Sequence, residues 1–242
     1  MMTERFTVPG DPSRIAGLFR ILQDVSGHAA ACWHASGPEL MEKGLMWVVT
    51  RYELSLDRAL IPGEALDITT WASPVRHMLS QRNYLLADAG GLSLGRAAGS
   101  WALVDRETRA MVDWTGRLDA FETEVTGLEP PRPAAPEKLE PQFSRVFTVP
   151  ASWLDMNGHM NNTRYFDLAQ TCIAPEADGL VLKTVRAAFL SEALAGDALT
   201  VSWARRDNLW SFSGVKNDVH CFRLSLEFVC ASSLLYRVYL LE

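Results

Sequence analysis

The chain has 242 residues, of which 48% are hydrophobic and 21% are charged, and its formal net charge is −6. This composition is typical of a globular protein, and the negative charge argues against nucleic acid as a partner. The sequence lacks an apolar run that could span a membrane, the apolar core of a signal peptide and any Cys-x-x-Cys pair, so we expect a cytoplasmic protein without a disulfide framework.

The first part of the chain predicts one helix followed by a series of strands. Residues 13–35 carry apolar side chains at helical spacing, which are Ile15, Leu18, Phe19, Leu22 and Val25. Strand-forming residues then dominate four segments, which are 44–56, 65–71, 81–87 and 93–104. Turns are predicted between the strands, at Pro62-Gly63 and at 88–91.

A proline-rich segment divides the chain into two parts of similar length. Five prolines occur between residues 128 and 142. Proline removes a backbone donor and disfavours helix in the residue before it, so this segment predicts an extended linker. The predicted organisation is an N-terminal domain at 1–128, a linker at 129–142 and a C-terminal domain at 143–242.

The second part repeats the order of the first. A strand is predicted at 143–149, a helix at 161–173, and further strands at 182–190, 197–204, 210–216, 221–230 and 234–241. The sequence Gly-Glu-Ala-Leu-Asp-Ile at 63–68 is echoed by Gly-Asp-Ala-Leu-Thr-Val at 196–201. One helix and a run of antiparallel strands, present twice, predict an α+β protein with a cleft between two similar units.

The densest group of side chains able to carry chemistry lies at residues 154–165. Asp155, Asn157 and His159 are two residues apart, so in an extended segment all three would face one cavity. Asn161 or Asn162 is suited to cap the helix that follows. The free N–H groups of a helix N-terminus suit an oxyanion. A polar turn that merely caps the helix explains the same residues about equally well.

The pattern Asp-x-Asn-x-His-x-Asn-Asn-x-x-Tyr, complete from Asp155 to Tyr165, resembles the signature of the plant and bacterial fatty acyl-ACP thioesterases. Segments at 22–29, 45–51, 95–101 and 105–109 resemble the same family more loosely. The resemblance implies a fold of two tandem hot-dog domains, each a curved antiparallel sheet wrapped on a helix. It also implies hydrolysis of fatty acyl-ACP to free fatty acid and holo-ACP, which ends fatty acid elongation.

The resemblance extends to the site residues. It places Glu192 at the family's further catalytic carboxylate, and Ala193 stands where the family carries cysteine, which argues against a cysteine nucleophile. Glu192 and His159 would activate a water molecule, and Asn157 would hold the carbonyl oxygen. Asp155 would orient this network, or act directly as base or nucleophile. Acyl carrier protein is the implied partner, no metal or cofactor is implied, and a homodimer is left open.

The N-terminal domain lacks the Asp-x-Asn-x-His motif, so we expect it to form the acyl pocket, with Val49 and Ala97 as candidate wall residues. Arg76, His77 and Arg82, together with Arg205 and Arg206, are explained most simply as residues of solvated turns, and the alternative is a basic rim that would attract the acidic carrier protein. An acyl-CoA thioesterase of the same fold, a non-catalytic acyl-binding hot-dog protein and a hot-dog dehydratase are the alternatives.

Two other patterns favour structural explanations. Gly-Leu-Ser-Leu-Gly at 91–95 matches the Gly-x-Ser-x-Gly motif of serine hydrolases. That motif carries a nucleophile only on a strand-to-helix turn, whereas Ser93 is expected to enter a strand. His28 and Cys32 are four residues apart and His34 is near, but no carboxylate completes a metal-ligand set there.

Overall fold

The computed structural model describes residues 1–10, 14–114, 118, 123–173 and 179–230. The first part contains β1 (Met2–Thr7), α1 (Ile15–Ala31), α2 (Gly37–Glu42), β2 (Leu45–Leu56), β3 (Ala65–Ala72), β4 (Leu79–Ala87) and β5 (Ser93–Asp105). The second contains β6 (Phe143–Thr148), a 3₁₀ turn (Ala151–Trp153), α3 (Thr163–Ile173), β7 (Leu180–Phe189), β8 (Ala198–Arg206), β9 (Leu209–Lys216) and β10 (Val219–Cys230). These elements confirm the predicted helices and strands to within a few residues. The strand expected at 234–241 lies outside the described residues.

The ten strands of the described residues form one antiparallel sheet in the order β1-β3-β4-β5-β2-β7-β10-β9-β8-β6. The first five strands have the order 1-3-4-5-2, and the last five, read from the opposite edge, have the equivalent order 6-8-9-10-7. The two sets meet where β2 pairs with β7, between residues 51–55 and 184–188. The chain therefore folds as two units of identical topology joined through one continuous sheet.

The short sequence echo occupies equivalent places in the two units. Val8 accepts the N–H of Gly63 at 3.1 Å and donates its own N–H to the carbonyl of residue 64 at 2.9 Å. Val149 likewise accepts the N–H of Gly196 at 2.8 Å and donates to the carbonyl of residue 197 at 3.0 Å. Both glycines have positive φ, at 79° and 86°, a conformation that costs glycine little. The repeated glycine thus makes the same turn before β3 and before β8.

The two long helices pack on one face of the sheet and against each other. The five apolar residues predicted along α1 are all buried. Phe19 of α1 stacks on Phe166 of α3 with ring centroids 4.2 Å apart, and it meets Tyr52 of β2 edge-on at 5.1 Å. Complete burial of a phenylalanine side chain stabilises a fold by about 1.5–3 kcal/mol. The helical spacing of these residues therefore determines which face of α1 meets the sheet.

The proline-rich segment crosses the opposite face of the sheet. Pro130, Pro133 and Pro136 are buried, and a spacing of three residues places side chains on one side of a polyproline II helix. Ala134 donates its N–H to Glu53 at 2.8 Å, and the Ser211 hydroxyl donates to the carbonyl of Glu137 at 2.8 Å. The segment is extended as predicted, and it packs on strands of both units rather than standing away from them.

Two elements were not predicted from the sequence. β1 is a six-residue edge strand that pairs with β3. α2 is a six-residue helix whose first turn is closed by a capping box, in which Ser36 and Glu39 each bond the other's backbone. Elements of this length are too short for periodicity to reveal. Within the described ranges, no helix has the length and apolar character needed to span a membrane.

Candidate active site

The Asp-x-Asn-x-His motif forms a tight turn between the 3₁₀ turn and α3. Leu154 and Met160 form an isolated antiparallel bridge, and Asp155 donates its N–H to the carbonyl of His159 at 2.8 Å. Gly158 has a φ of 79°. The expectation of an extended segment is therefore wrong, because the chain reverses direction within the motif and alternate side chains do not share one face.

The Asp155 carboxylate stabilises this turn. Its Oδ1 atom accepts the backbone N–H of Asn157 at 2.8 Å and that of His159 at 3.4 Å. Within the described part of the chain, no hydrogen bond engages the side-chain amide of Asn157. That amide, which is partly exposed, is available to a ligand.

The structure brings His159 and Glu192 into direct contact. Glu192 lies in the loop after β7, and its Oε2 atom is 3.0 Å from His159 Nε2. A backbone hydrogen bond from Met160 to the carbonyl of Ala193, at 2.8 Å, ties the turn to this loop. The His159 side chain is 14% exposed and that of Glu192 is 43% exposed. The two groups that the resemblance pairs for activating water therefore touch each other directly.

A third side chain, which the sequence analysis did not assign to the site, completes this group. Arg109 follows β5 in the first unit, and its Nη1 atom is 3.2 Å from Glu192 Oε1. Its Nη2 atom is 3.1 Å from His159 Nε2. The only sequence signal was the family resemblance at 105–109, which carried no statement of role. The site therefore combines residues of both units.

The start of α3 is capped as predicted. The Asn161 side chain accepts the N–H of Thr163 at 2.9 Å and its hydroxyl at 2.7 Å, and the Asn161 carbonyl accepts the N–H of Arg164 at 2.9 Å. These two N–H groups of the first turn are already bonded. An oxyanion would therefore have to displace Asn161 or use other donors of the turn.

A cavity of about 260 Å³ opens beside the motif. Most of its wall comes from the first unit, including Trp47, Trp101 and Trp114, and Asp155 and Asn161 contribute from the second. Of the four candidate site residues, only Asp155 is among the lining residues. The space is thus mainly apolar, and residues of the motif form part of its wall.

The two candidate wall residues have different positions. Val49 of β2 lines the cavity and is 2% exposed. Ala97 of β5 is 1% exposed but belongs to the hydrophobic core and is not a lining residue. Ala97 is therefore not a wall residue of this cavity: both residues are buried in inner strands, and position in a strand does not distinguish a cavity wall from the packed core.

The predicted basic rim needs one correction. Arg82 is 8% exposed and lines the cavity, so it is not a rim residue. Burial lowers the pKa of its guanidinium, which nevertheless stays protonated. Arg76 and Arg206 are exposed, as expected. Arg205 lies over the Trp210 ring at 4.4 Å.

The structure also tests the two patterns for which a structural explanation was favoured, the serine-hydrolase match at 91–95 and the group of His28, Cys32 and His34. Ser93 begins β5 and donates its hydroxyl to Asp57 at 2.7 Å, so the strand predicted in place of a nucleophile turn is confirmed. His28 contacts Glu4 at 2.8 Å and His34 contacts Glu39 at 3.2 Å. The two histidines therefore pair with different carboxylates.

The comparisons with known proteins all find similarity to acyl-ACP thioesterases. Residues 11–117 match the family model described as the acyl-ACP thioesterase N-terminal domain. The chain is 29% identical, over 146 residues, to the chloroplastic palmitoyl-acyl carrier protein thioesterase of Arabidopsis thaliana. That match covers 54% of this chain and 34% of the relative, so the chain spans about a third of the length of the curated relatives it matches.

Solved structures resemble the whole chain. The acyl-ACP thioesterase from Bacteroides thetaiotaomicron superposes with a TM-score of 0.79 at 22% identity, covering 94% of this chain and 97% of that one. The 12:0-ACP thioesterase from Umbellularia californica gives a TM-score of 0.81 at 17% identity, with 94% and 96% covered. At these identities the likeness concerns the fold, and it confirms the α+β double hot-dog architecture.

Proposed function

We propose that this chain belongs to the acyl-ACP thioesterase family and hydrolyses the thioester of a fatty acyl chain carried on acyl carrier protein. The observation that carries the proposal is the contact between His159 and Glu192 at 3.0 Å, in a turn whose Asp155 reaches the wall of an apolar cavity. A carboxylate and an imidazole beside a space for an apolar chain suit the attack of water on a thioester.

Glu192 is the proposed general base. Its carboxylate removes a proton from a water molecule as the water oxygen bonds to the thioester carbon. The carbon–sulfur bond then breaks, the fatty acid leaves as one product, and the proton passes to the thiolate of the carrier. His159 orients Glu192 and takes part in this proton transfer. No metal or cofactor is needed for the atoms and charges to balance.

Asn157 is the proposed donor to the carbonyl oxygen. Its side-chain amide is not engaged by the described part of the chain, so it can bond the oxyanion that forms during attack. Asp155 is proposed to hold the turn that presents Asn157 and His159, through its two backbone hydrogen bonds. A direct role of Asp155 as base or nucleophile is the competing assignment, since its side chain also borders the cavity.

We propose that the N-terminal domain at 1–128 binds the acyl chain and that the C-terminal domain at 143–242 carries the motif for thioester hydrolysis, with 129–142 as the linker. The three tryptophans and Val49 on the cavity wall support this. Apolar contact stabilises a bound chain by about 0.8 kcal/mol for each buried methylene. The length of the preferred chain then follows from the depth of the cavity.

The carrier is proposed to be acyl carrier protein, in the cytoplasm. Exposed Arg76 and Arg206 offer positive charge to an acidic partner. A homodimer is compatible with this assignment but is not required by it. The competing carrier is coenzyme A, which would present a nucleotide instead of a protein surface.

The test compares one acyl chain on both carriers. We expect measurable turnover with acyl-ACP and a much lower kcat/KM with the matching acyl-CoA. Preference for acyl-CoA would assign the chain to the competing thioesterase class. Tight binding of acyl-ACP with no release of free thiol would instead indicate a non-catalytic acyl-binding protein. Free thiol is followed with a chromogenic disulfide, and fatty acid by gas chromatography.

A further inference from the structure

We propose that Arg109 is a positioning residue of the site, contributed by the first unit to the chemistry of the second. The inference rests on the proposed function. Nothing in the motif at 155–165 points to Arg109, because it lies after β5 and reaches the site only through the fold. The catalytic group is then incomplete without the first unit, even though the motif itself belongs entirely to the second.

The guanidinium contacts both members of the proposed catalytic pair. Nη1 lies 3.2 Å from Glu192 Oε1, and Nη2 lies 3.1 Å from His159 Nε2. His159 Nε2 in turn lies 3.0 Å from the other carboxylate oxygen, Oε2. Arg109 thus holds one oxygen of Glu192 and directs the second toward the imidazole.

The two contacts at His159 Nε2 exclude each other as hydrogen bonds. In a neutral imidazole, one ring nitrogen carries either a proton or a lone pair, and arginine can only donate. When Nε2 carries the proton, it donates to Glu192 Oε2, and of its two contacts with the catalytic pair Arg109 keeps the one to Oε1. When Nε2 carries the lone pair, it accepts from Arg109, and Glu192 Oε2 is released.

This exchange gives Arg109 a specific task. In the second arrangement, Oε2 is open to a water molecule, while Oε1 remains bonded to Nη1 and keeps the carboxylate in place. Arg109 therefore lets Glu192 change partner from His159 to water without losing its orientation. Loss of Arg109 would leave the carboxylate with His159 as its only described partner, and this partner competes with water for Oε2.

The backbone at Arg109 argues against a merely stabilising role. Its φ is 61°, in the left-handed region that favours glycine or asparagine. The Arg109 and Glu192 side chains are 46% and 43% exposed, and ion pairs this accessible to water contribute little to stability. An arginine that served only the turn would therefore be replaced by glycine without loss, and with relief of backbone strain.

The experiment measures kcat, KM and thermal midpoint for Arg109→Ala, Arg109→Gly and Arg109→Lys. Misplacement of a reacting group by about 1 Å lowers rates by roughly 10²-fold, so we expect Arg109→Ala to lose about 10- to 100-fold in kcat with KM little changed. Arg109→Gly should lose as much activity while its thermal midpoint stays level or rises. Lysine, and added guanidinium at millimolar concentration with Arg109→Ala, should restore part of kcat.

Arg106→Ala is the matched control, because Arg106 occupies the same turn and contacts neither His159 nor Glu192. Wild-type kcat in Arg109→Ala, or an equal loss in Arg106→Ala, would overturn the proposal. A loss of activity in Arg109→Gly that only parallels a fall in thermal midpoint would also overturn it.

A second readout does not depend on turnover. The ring ¹⁵N shifts of His159, assigned with the His159→Gln variant, should change in Arg109→Ala because one of the two partners of Nε2 is gone. Unchanged shifts would overturn the positioning role even if the wild type hydrolysed no acyl thioester. If the wild type hydrolyses no acyl thioester but the His159 shifts change in Arg109→Ala, the proposed function is refuted. The contact between Arg109 and His159 is then still supported.

Discussion

If the proposed function holds, enlarging Val49 should shorten the acyl chain that the protein prefers. Val49 lies in β2, is 2% exposed and lines the cavity of about 260 Å³. Val49→Leu adds one methylene to that space. If it displaces one methylene of the bound chain, long substrates lose about 0.8 kcal/mol, roughly fourfold in kcat/KM. With Val49→Phe, displacement of two or three methylenes would cost about 1.6–2.4 kcal/mol, roughly 15- to 60-fold.

The assay is the dependence of kcat/KM on chain length over a panel of saturated acyl-ACPs. Long chains should lose activity in the order wild type, Val49→Leu, Val49→Phe. The shortest chains should be hydrolysed at wild-type rates, because they do not reach the filled part of the cavity. The optimum should therefore move without loss of the chemistry.

Val48→Leu is the control for this series. Val48 is the neighbour of Val49 in the same strand, but it packs against the separate cluster of Met46, Ala102 and Val104. The same one-methylene change at Val48 should leave the chain-length profile unchanged. The reasoning fails if Val49→Phe folds normally and keeps the wild-type ratio of long-chain to short-chain rates, or if Val48→Leu moves the profile equally.

Three further predictions concern the site and the linker. Glu192→Gln should lower kcat by about 10²–10⁴-fold, the usual contribution of a general base. Its thermal midpoint should be nearly unchanged because the side chain is 43% exposed. A wild-type kcat in this variant would remove Glu192 from the mechanism. Asn157→Ala should lower kcat by about 10²–10³-fold with little effect on KM, whereas Ser93→Ala should be nearly silent, and the reverse result would favour a serine nucleophile. Glu129 has its pKa lowered from 4.5 to about 2, first by the backbone N–H of Thr126. Its stabilising effect is therefore complete above pH 4.5 and is lost as pH falls through about 2. In urea unfolding, the difference between wild type and Glu129→Gln should disappear over that interval, and a constant difference would contradict the assignment.

The regular elements were predicted because their patterns are local. The helical spacing from Ile15 to Val25 led to α1, and turn residues at 62–63 and 88–91 marked the strand ends correctly. The six-residue helix α2 was not predicted because fewer than two turns show no apolar period, although Ser36 and Glu39 form a capping box at its start. Short elements are stabilised by caps and neighbours rather than by a repeating apolar stripe.

The errors have a common cause, which is the absence of long-range information in a local pattern. Alternation at Asp155, Asn157 and His159 predicted an extended segment, but Gly158 and the bonds of Asp155 fold it into a turn. Arg82 was expected on the rim and is buried, because its strand passes under the cavity. Neither outcome follows from residue type and spacing alone.

The sequence by itself determined the α+β class, the duplicated order of elements and the choice of Asp155, Asn157, His159 and Glu192 as candidates. The class and the duplicated order follow from local periodicity and turn chemistry, the first three candidates stand in one contiguous motif, and Glu192 was chosen only through the family resemblance. Only the tertiary structure decided that His159 and Glu192 touch, that Arg109 joins them and that Val49 rather than Ala97 faces the cavity. Such contacts depend on strand register and on the pairing of β2 with β7, and these are determined by packing across the whole sheet.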